Sequence, residues 1–162
     1  MVRPIRSSLL PLALCLFALC VFAGSAGTEP LVGTWVLSNQ TVNGQKVDSE
    51  ALTLRIYPAG DALEFAFSVP INGIHFVSMR FVSVRVNGSA GTVENASGAK
   101  IGTVKLLKIG PVEYKTVVEG PNRPSGTNTM TVSPDGKTLT SESDTTVAGK
   151  PASHAVQTFS RR

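Results

Sequence analysis

Ala62-Leu63-Glu64-Phe65-Ala66-Phe67-Ser68-Val69 is the stretch on which the reading of the fold turns. Side chains alternate across an extended chain, so Leu63, Phe65, Phe67 and Val69 share one face while Ala62, Glu64, Ala66 and Ser68 share the other. One face is large and apolar, the other small or polar. This is the pattern of a strand that lays one side on a core. Upstream, Leu52, Leu54 and Ile56 alternate with Thr53, Arg55 and Tyr57. A first strand is predicted over residues 31–39. Asn43-Gly44 follows it, the dipeptide that most readily supplies positive φ in a tight hairpin. Pro58-Ala59-Gly60-Asp61 separates 52–57 from 62–69. Downstream, Pro70 and Asn72-Gly73 lead into a long run over 74–86, closed by Asn87-Gly88. Its length predicts a bent strand that crosses a barrel corner.

The rhythm continues with weaker side chains. Residues 89–94, 100–109, 112–119, 127–133, 138–145 and 153–161 read as strands between clusters of Gly, Pro, Asn and Asp. Pro134-Asp135-Gly136 is a strong hairpin turn. Residues 120–126, Gly-Pro-Asn-Arg-Pro-Ser-Gly, exclude a strand and predict a mobile loop. The chain beyond residue 27 is rich in Val, Thr, Ile and Phe, which suit a pleated, half-buried surface, and helical spacing of apolar residues is hard to find. Ten strands with mostly short links predict an all-β, antiparallel up-and-down barrel of about eight to ten strands, because closure removes exposed edges. A β-sandwich is the alternative for the same pattern.

The first residues have a different character. Arg3 and Arg6 precede an apolar run over 9–22, and Ala23-Gly24-Ser25-Ala26-Gly27 follows. That order predicts a secretory signal peptide over residues 1–26, cleaved after Ala26, leaving a single domain over 27–162. The apolar run is 14 residues long, short of the roughly 20 that span a bilayer. The processed chain is therefore expected to be periplasmic or secreted, and not an integral membrane protein. Both cysteines, Cys15 and Cys20, lie in the signal, so the mature domain has no thiol for a disulfide, a zinc site or a nucleophile. Leu19 before Cys20 is too large for a lipid-modified precursor. Without Arg3 and Arg6, 13 basic residues face 11 acidic ones, and the net charge falls from +4 to +2. Lys and Arg are scattered singly, whereas a nucleic-acid partner needs a clustered basic face.

Leu31-Val32-Gly33-Thr34-Trp35 resembles the Gly-x-Trp opening of the calycin group, which holds the lipocalins, fatty-acid-binding proteins and avidins. The resemblance implies that Gly33 and Trp35 close one barrel end and that a cation after Thr158-Phe159-Ser160, Arg161 or Arg162, packs over the Trp. The stretch from Thr131 to Arg161 also resembles the end of small exported bacterial lipocalin-like proteins of unassigned function. There are departures. Trp35 is the only Trp, so the several-Trp biotin pocket of avidins is missing, and so is the lipocalin disulfide. Arg55, Arg80 and Arg85 read as solvated rather than as the internal arginine pair of the cytosolic fatty-acid-binding proteins.

Catalytic signals are thin. His75 and His154 are the only histidines, and no motif places a hydroxyl and an orienting acid beside either. Zinc needs three or four ligands at recurrent spacing, which neither has. Glu142 and Asp144 lie two apart on one strand face and read as a solvated pair. Gly98, Gly102 and Gly110 are turn and strand-end glycines rather than a phosphate loop. The sequons at Asn39, Asn87 and Asn95 coincide with turn chemistry. No enzyme activity, metal or cofactor is expected. Phe65, Phe67, Phe76, Met79, Phe81 and Tyr114 are the candidate lining of an apolar pocket, because a barrel of this size is just wide enough for one small ligand. The expected function is binding of a small apolar or amphipathic molecule. The alternative is an envelope protein-interaction module or protease-inhibitor-like barrel whose core is filled. The oligomeric state is not legible.

Overall fold

The computed structural model describes residues 29–48, 51–120, 125–146 and 152–162. The predicted signal peptide and most of the predicted loop at 120–126 lie outside them. The described residues form eleven strands: β1 (Gly33–Val42), β2 (Gln45–Lys46), β3 (Thr53–Ala59), β4 (Ala62–Ile71), β5 (Ile74–Val84), β6 (Asn87–Asn95), β7 (Lys100–Lys108), β8 (Glu113–Glu119), β9 (Ser125–Val132), β10 (Thr138–Thr146) and β11 (Ser153–Arg161). β1 pairs antiparallel with β3, each strand from β3 to β10 pairs antiparallel with the next, and β11 returns to pair with β1 from Trp35↔Arg161 to Val42↔Ala155. Ten strands thus close an up-and-down barrel. β2 is a two-residue addition beyond the prediction, held on β1 through Thr41↔Lys46 and Val42↔Gln45.

The turns explain the register. Asn43-Gly44 and Asn72-Gly73 carry φ of 50°, 80°, 52° and 78°, the left-handed pair that matches strand twist in a two-residue hairpin. Asn95 Oδ1 accepts the backbone N–H groups of Ser97 and Ala99, both at 3.0 Å. The predicted stop at Asn87-Gly88 is displaced. β5 ends at Val84, the link is Arg85-Val86, and Asn87 already begins β6. Ser83 at φ 56° sits in a bulge of β5, between Phe81↔Phe65 and Val84↔Leu63, after the β5–β6 ladder has ended at Val82. Arg85 is then held by Asp61, with Nε and Nη2 on the two carboxylate oxygens at 2.9 and 3.0 Å. Pro58 likewise lies inside β3 rather than ending it. β1 pairs β3 only over Thr53–Ile56, so the missing N–H faces an unpaired edge and breaks no ladder bond.

The core fills the end of the barrel from which β1 leaves. Leu31, Trp35, Val84, Val93, Val104, Leu106, Tyr114 and Leu139 are completely buried there. Residues 29–32 run across this end as a cap. Trp35 Nε1 donates to Leu31 O at 2.8 Å. Arg161 stacks over the indole at 4.3 Å and donates to Val32 O and Pro30 O at 3.0 and 2.7 Å. Gly33, at φ 155°, passes beneath that guanidinium, and a Cβ there would stand 3.1 Å from Arg161 Nη1. Gly33, Trp35 and Arg161 thus meet at one end, as the resemblance implies. Arg161→Ala removes the stacked cation and two bonds to carbonyls. Because the side chain is exposed, the expected loss is about 1–2 kcal/mol, read as a lower urea midpoint at unchanged slope. An unchanged midpoint would mean that Trp35 holds the cap alone.

Glu29 anchors the other side of the cap. Tyr114 Oη donates to Glu29 Oε2 at 2.6 Å and Lys108 Nζ at 2.9 Å. Burial pushes the Glu29 carboxyl upward, but the bonds from Tyr114 and Lys108 together outweigh it and hold the group below its usual range. Burial, and then the charge it faces, push the Tyr114 phenol well above its ordinary value.

Candidate functional site

Antiparallel alternation sends the turns at 43–44 and 72–73 and the C-terminal ends of β6, β8 and β10 to the end opposite the cap. The core does not reach this end. A cavity of about 270 Å³ occupies it, just below the range of about 300–1,000 Å³ common for ligand pockets. Its walls differ. Leu54, Phe65, Phe67, Met79 and Phe81 from β3, β4 and β5 form an apolar wall, in which Phe67 meets Phe81 edge to face at 4.9 Å. Thr116, Asn128, Ser141, Ser143, Thr145 and Gln157 from β8 to β11 form a polar wall opposite. Met130 and Phe159 lie between the walls, and both are almost completely buried.

Four of the six expected lining residues, Phe65, Phe67, Met79 and Phe81, line this cavity. Two do not, and each has a physical reason. Phe76 is 48% exposed. β5 pairs β6 only from Met79 to Val82 and β3 pairs β4 only as far as Ser68, whereas the β4–β5 ladder continues to Ile71↔Ile74. Val69 to Phe76 therefore form a ribbon beyond the rim, with Ile71, Ile74 and Phe76 exposed on it. Tyr114 points inward but low, where its hydroxyl binds Glu29 in the cap. The polar wall is absent from the sequence expectation, because Ser141, Ser143 and Thr145 alternating with charged residues read as a solvated strand. The signal was Leu139, which starts the same inward face.

The remaining candidates lie outside the cavity. Arg55 and Arg80 are exposed, with Arg80 4.0 Å from Glu64, and Arg85 holds Asp61. His75 sits on the exposed ribbon. His154, Glu142 and Asp144 come together across the β10–β11 ladder, with Nδ1 2.9 Å from Asp144 Oδ1 and Nε2 3.5 Å from Glu142 Oε1. Among the described residues, no group of three or more His, Cys, Asp or Glu is arranged to hold a metal ion, and no helix is long and apolar enough to cross a membrane.

The hydrogen bond to Asp144 raises the His154 pKa above 6.5, with the Asp144 and Glu142 charges acting the same way. A folded-state pKa above the unfolded one means that this contribution to stability is complete below about 6.5 and is lost as pH rises through the folded value. The cluster is exposed, so the readout is the titration itself. An NMR titration of the His154 ring is expected to give a midpoint above 6.5 that falls in Asp144→Asn. A midpoint indifferent to that substitution would show that the pair does not form in solution.

Zebrafish ileal bile acid-binding protein, solved as a complex with cholic acid, has a similar structure. The match covers 82% of this chain and 99% of that chain with a TM-score of 0.52. The fold is a calycin-like barrel. Sequence identity over the match is 16%, so the likeness is one of architecture. No family model and no curated protein matches the sequence. In this calycin-like barrel residues 29–32 cap one end, and the cavity between β3–β5 and β8–β11 lies at the other.

Proposed function

We propose that the protein is a binding barrel, exported after removal of residues 1–26, that holds a small apolar or amphipathic molecule in the cavity between β3–β5 and β8–β11. The observation that carries this reading is the cavity itself: a solid core would have favoured a barrel that only displays loops, whereas here the core stops short of one end. A structural neighbour whose described role is bile acid binding supports the same class of function. We read the barrel as a binder and assign it no reaction.

Native mass spectrometry of the protein purified from its own cells, with solvent extraction of any cargo, tests binding, together with titration of the neutral dye N-phenyl-1-naphthylamine. A copurifying small molecule or a single saturable dye site is expected. Neither cargo nor saturable dye binding would end the proposal. The mass of the exported chain tests the leader: the expected first residue is Gly27, and an exported chain that keeps residues 1–26 would overturn that part.

A further inference from the structure

The polar wall carries information about the ligand beyond its being amphipathic. The described residues that line the cavity carry no charge, so a carboxylate seated there has no cation in that lining to offset its lost hydration. Three hydroxyls of the wall also have their protons committed. Ser141 Oγ donates to Asn128 Oδ1 at 3.0 Å, Thr116 Oγ1 to Asn128 O at 3.4 Å and Ser143 Oγ to Ala155 O at 3.5 Å. A hydroxyl has one proton and two lone pairs. Once the proton is given away, what remains for the cavity is an acceptor.

A carboxylate only accepts; the amides of Asn128 and Gln157 offer it N–H groups but no charge, and the oxygens of Thr116, Ser141 and Ser143 face it as acceptors. A ligand hydroxyl donates into those lone pairs without disturbing anything. The apolar wall opposite takes the hydrocarbon part of the same molecule.

Resting on the reading of this cavity as a binding site, we propose that it selects uncharged amphiphiles bearing hydroxyl groups along one edge. Their apolar side packs on Phe65, Phe67 and Met79, and their hydroxyls face Thr116, Ser141 and Ser143. A glyceride-like or alcohol-bearing lipid fits this chemistry and a free fatty acid does not.

The test is displacement of N-phenyl-1-naphthylamine from the full folded domain at pH 8 by two probes with the same ten-carbon acyl chain, 1-monodecanoylglycerol and decanoate, each below its micellar concentration. The monoglyceride is expected to compete at least tenfold better. In Ser141→Ala/Ser143→Ala that preference, with each probe's competition expressed relative to the same variant's own dye affinity, is expected to shrink at least fivefold through weaker monoglyceride binding. Decanoate competing as well or better would overturn the assigned class, as would a preference untouched by the double substitution or dye that neither probe displaces. Failure of the dye itself to bind would instead strike at the binding reading.

Discussion

Replacing Trp35 by alanine is expected to destabilise the barrel by about 4 kcal/mol, at the upper part of the range for buried aromatic truncations. The side chain is completely buried, its Nε1 holds Leu31 O, and its face carries the Arg161 guanidinium. Removing it leaves a cavity at the capped end and unties residues 29–32. Domains of this size are commonly stable by about 5–15 kcal/mol, so most of the margin of a weaker domain would disappear. Trp35 is the sole Trp, which makes indole fluorescence a clean probe of the wild type but no use for the variant. Circular dichroism during urea unfolding of both chains is the appropriate comparison. A loss under about 1 kcal/mol would show that the cap contributes little to the fold.

The second large effect falls on binding. Ser143→Trp places an indole on the inward face of β10, next to Ser141 and opposite the apolar wall. With only about 270 Å³ available, the new ring fills space that a ligand needs. Affinity for N-phenyl-1-naphthylamine is expected to drop at least tenfold. Stability should change little, because the ring grows into open volume rather than into packed core. Dye fluorescence and a thermal melt on the same sample separate the two effects. Dye bound with wild-type affinity would place the binding site elsewhere on the molecule.

Much of the architecture was legible because it follows from local chemistry. Residues 62–69 alternate so regularly that β4 has one possible orientation, and Asn43-Gly44 and Asn72-Gly73 leave the chain little choice of turn. Meeting of Gly33, Trp35 and Arg161 followed from a resemblance, since nothing local links residue 35 to residue 161. What escaped has a common cause. Alternation reports which side chains share a face but not how far along the strand the barrel extends. Phe76 was therefore read as lining although it lies past the rim, and Tyr114 although it lies in the cap. Alternation also equates polar with solvent, so a wall of Ser141, Ser143 and Thr145 facing inward was invisible. The β5–β6 link was misplaced by two residues because Asn87-Gly88 reads as a turn, whereas Asn87 already pairs with Leu107 in β6.

The pairing of β11 with β1 bears on the biosynthesis of the protein. The closing strand, Ser153–Arg161, is the last of the described strands in chain order, and its partner β1 is the first. Until the closing strand docks, β1 and β10 stand as open edges, and the contacts that seal them are the longest in sequence that the fold contains, the slowest kind to form. A chain in which β11 has yet to dock is thus an unsealed sheet. For a polypeptide that we propose is threaded through a membrane before it folds, a latch made of the nine residues of β11 keeps the barrel open until that strand has arrived.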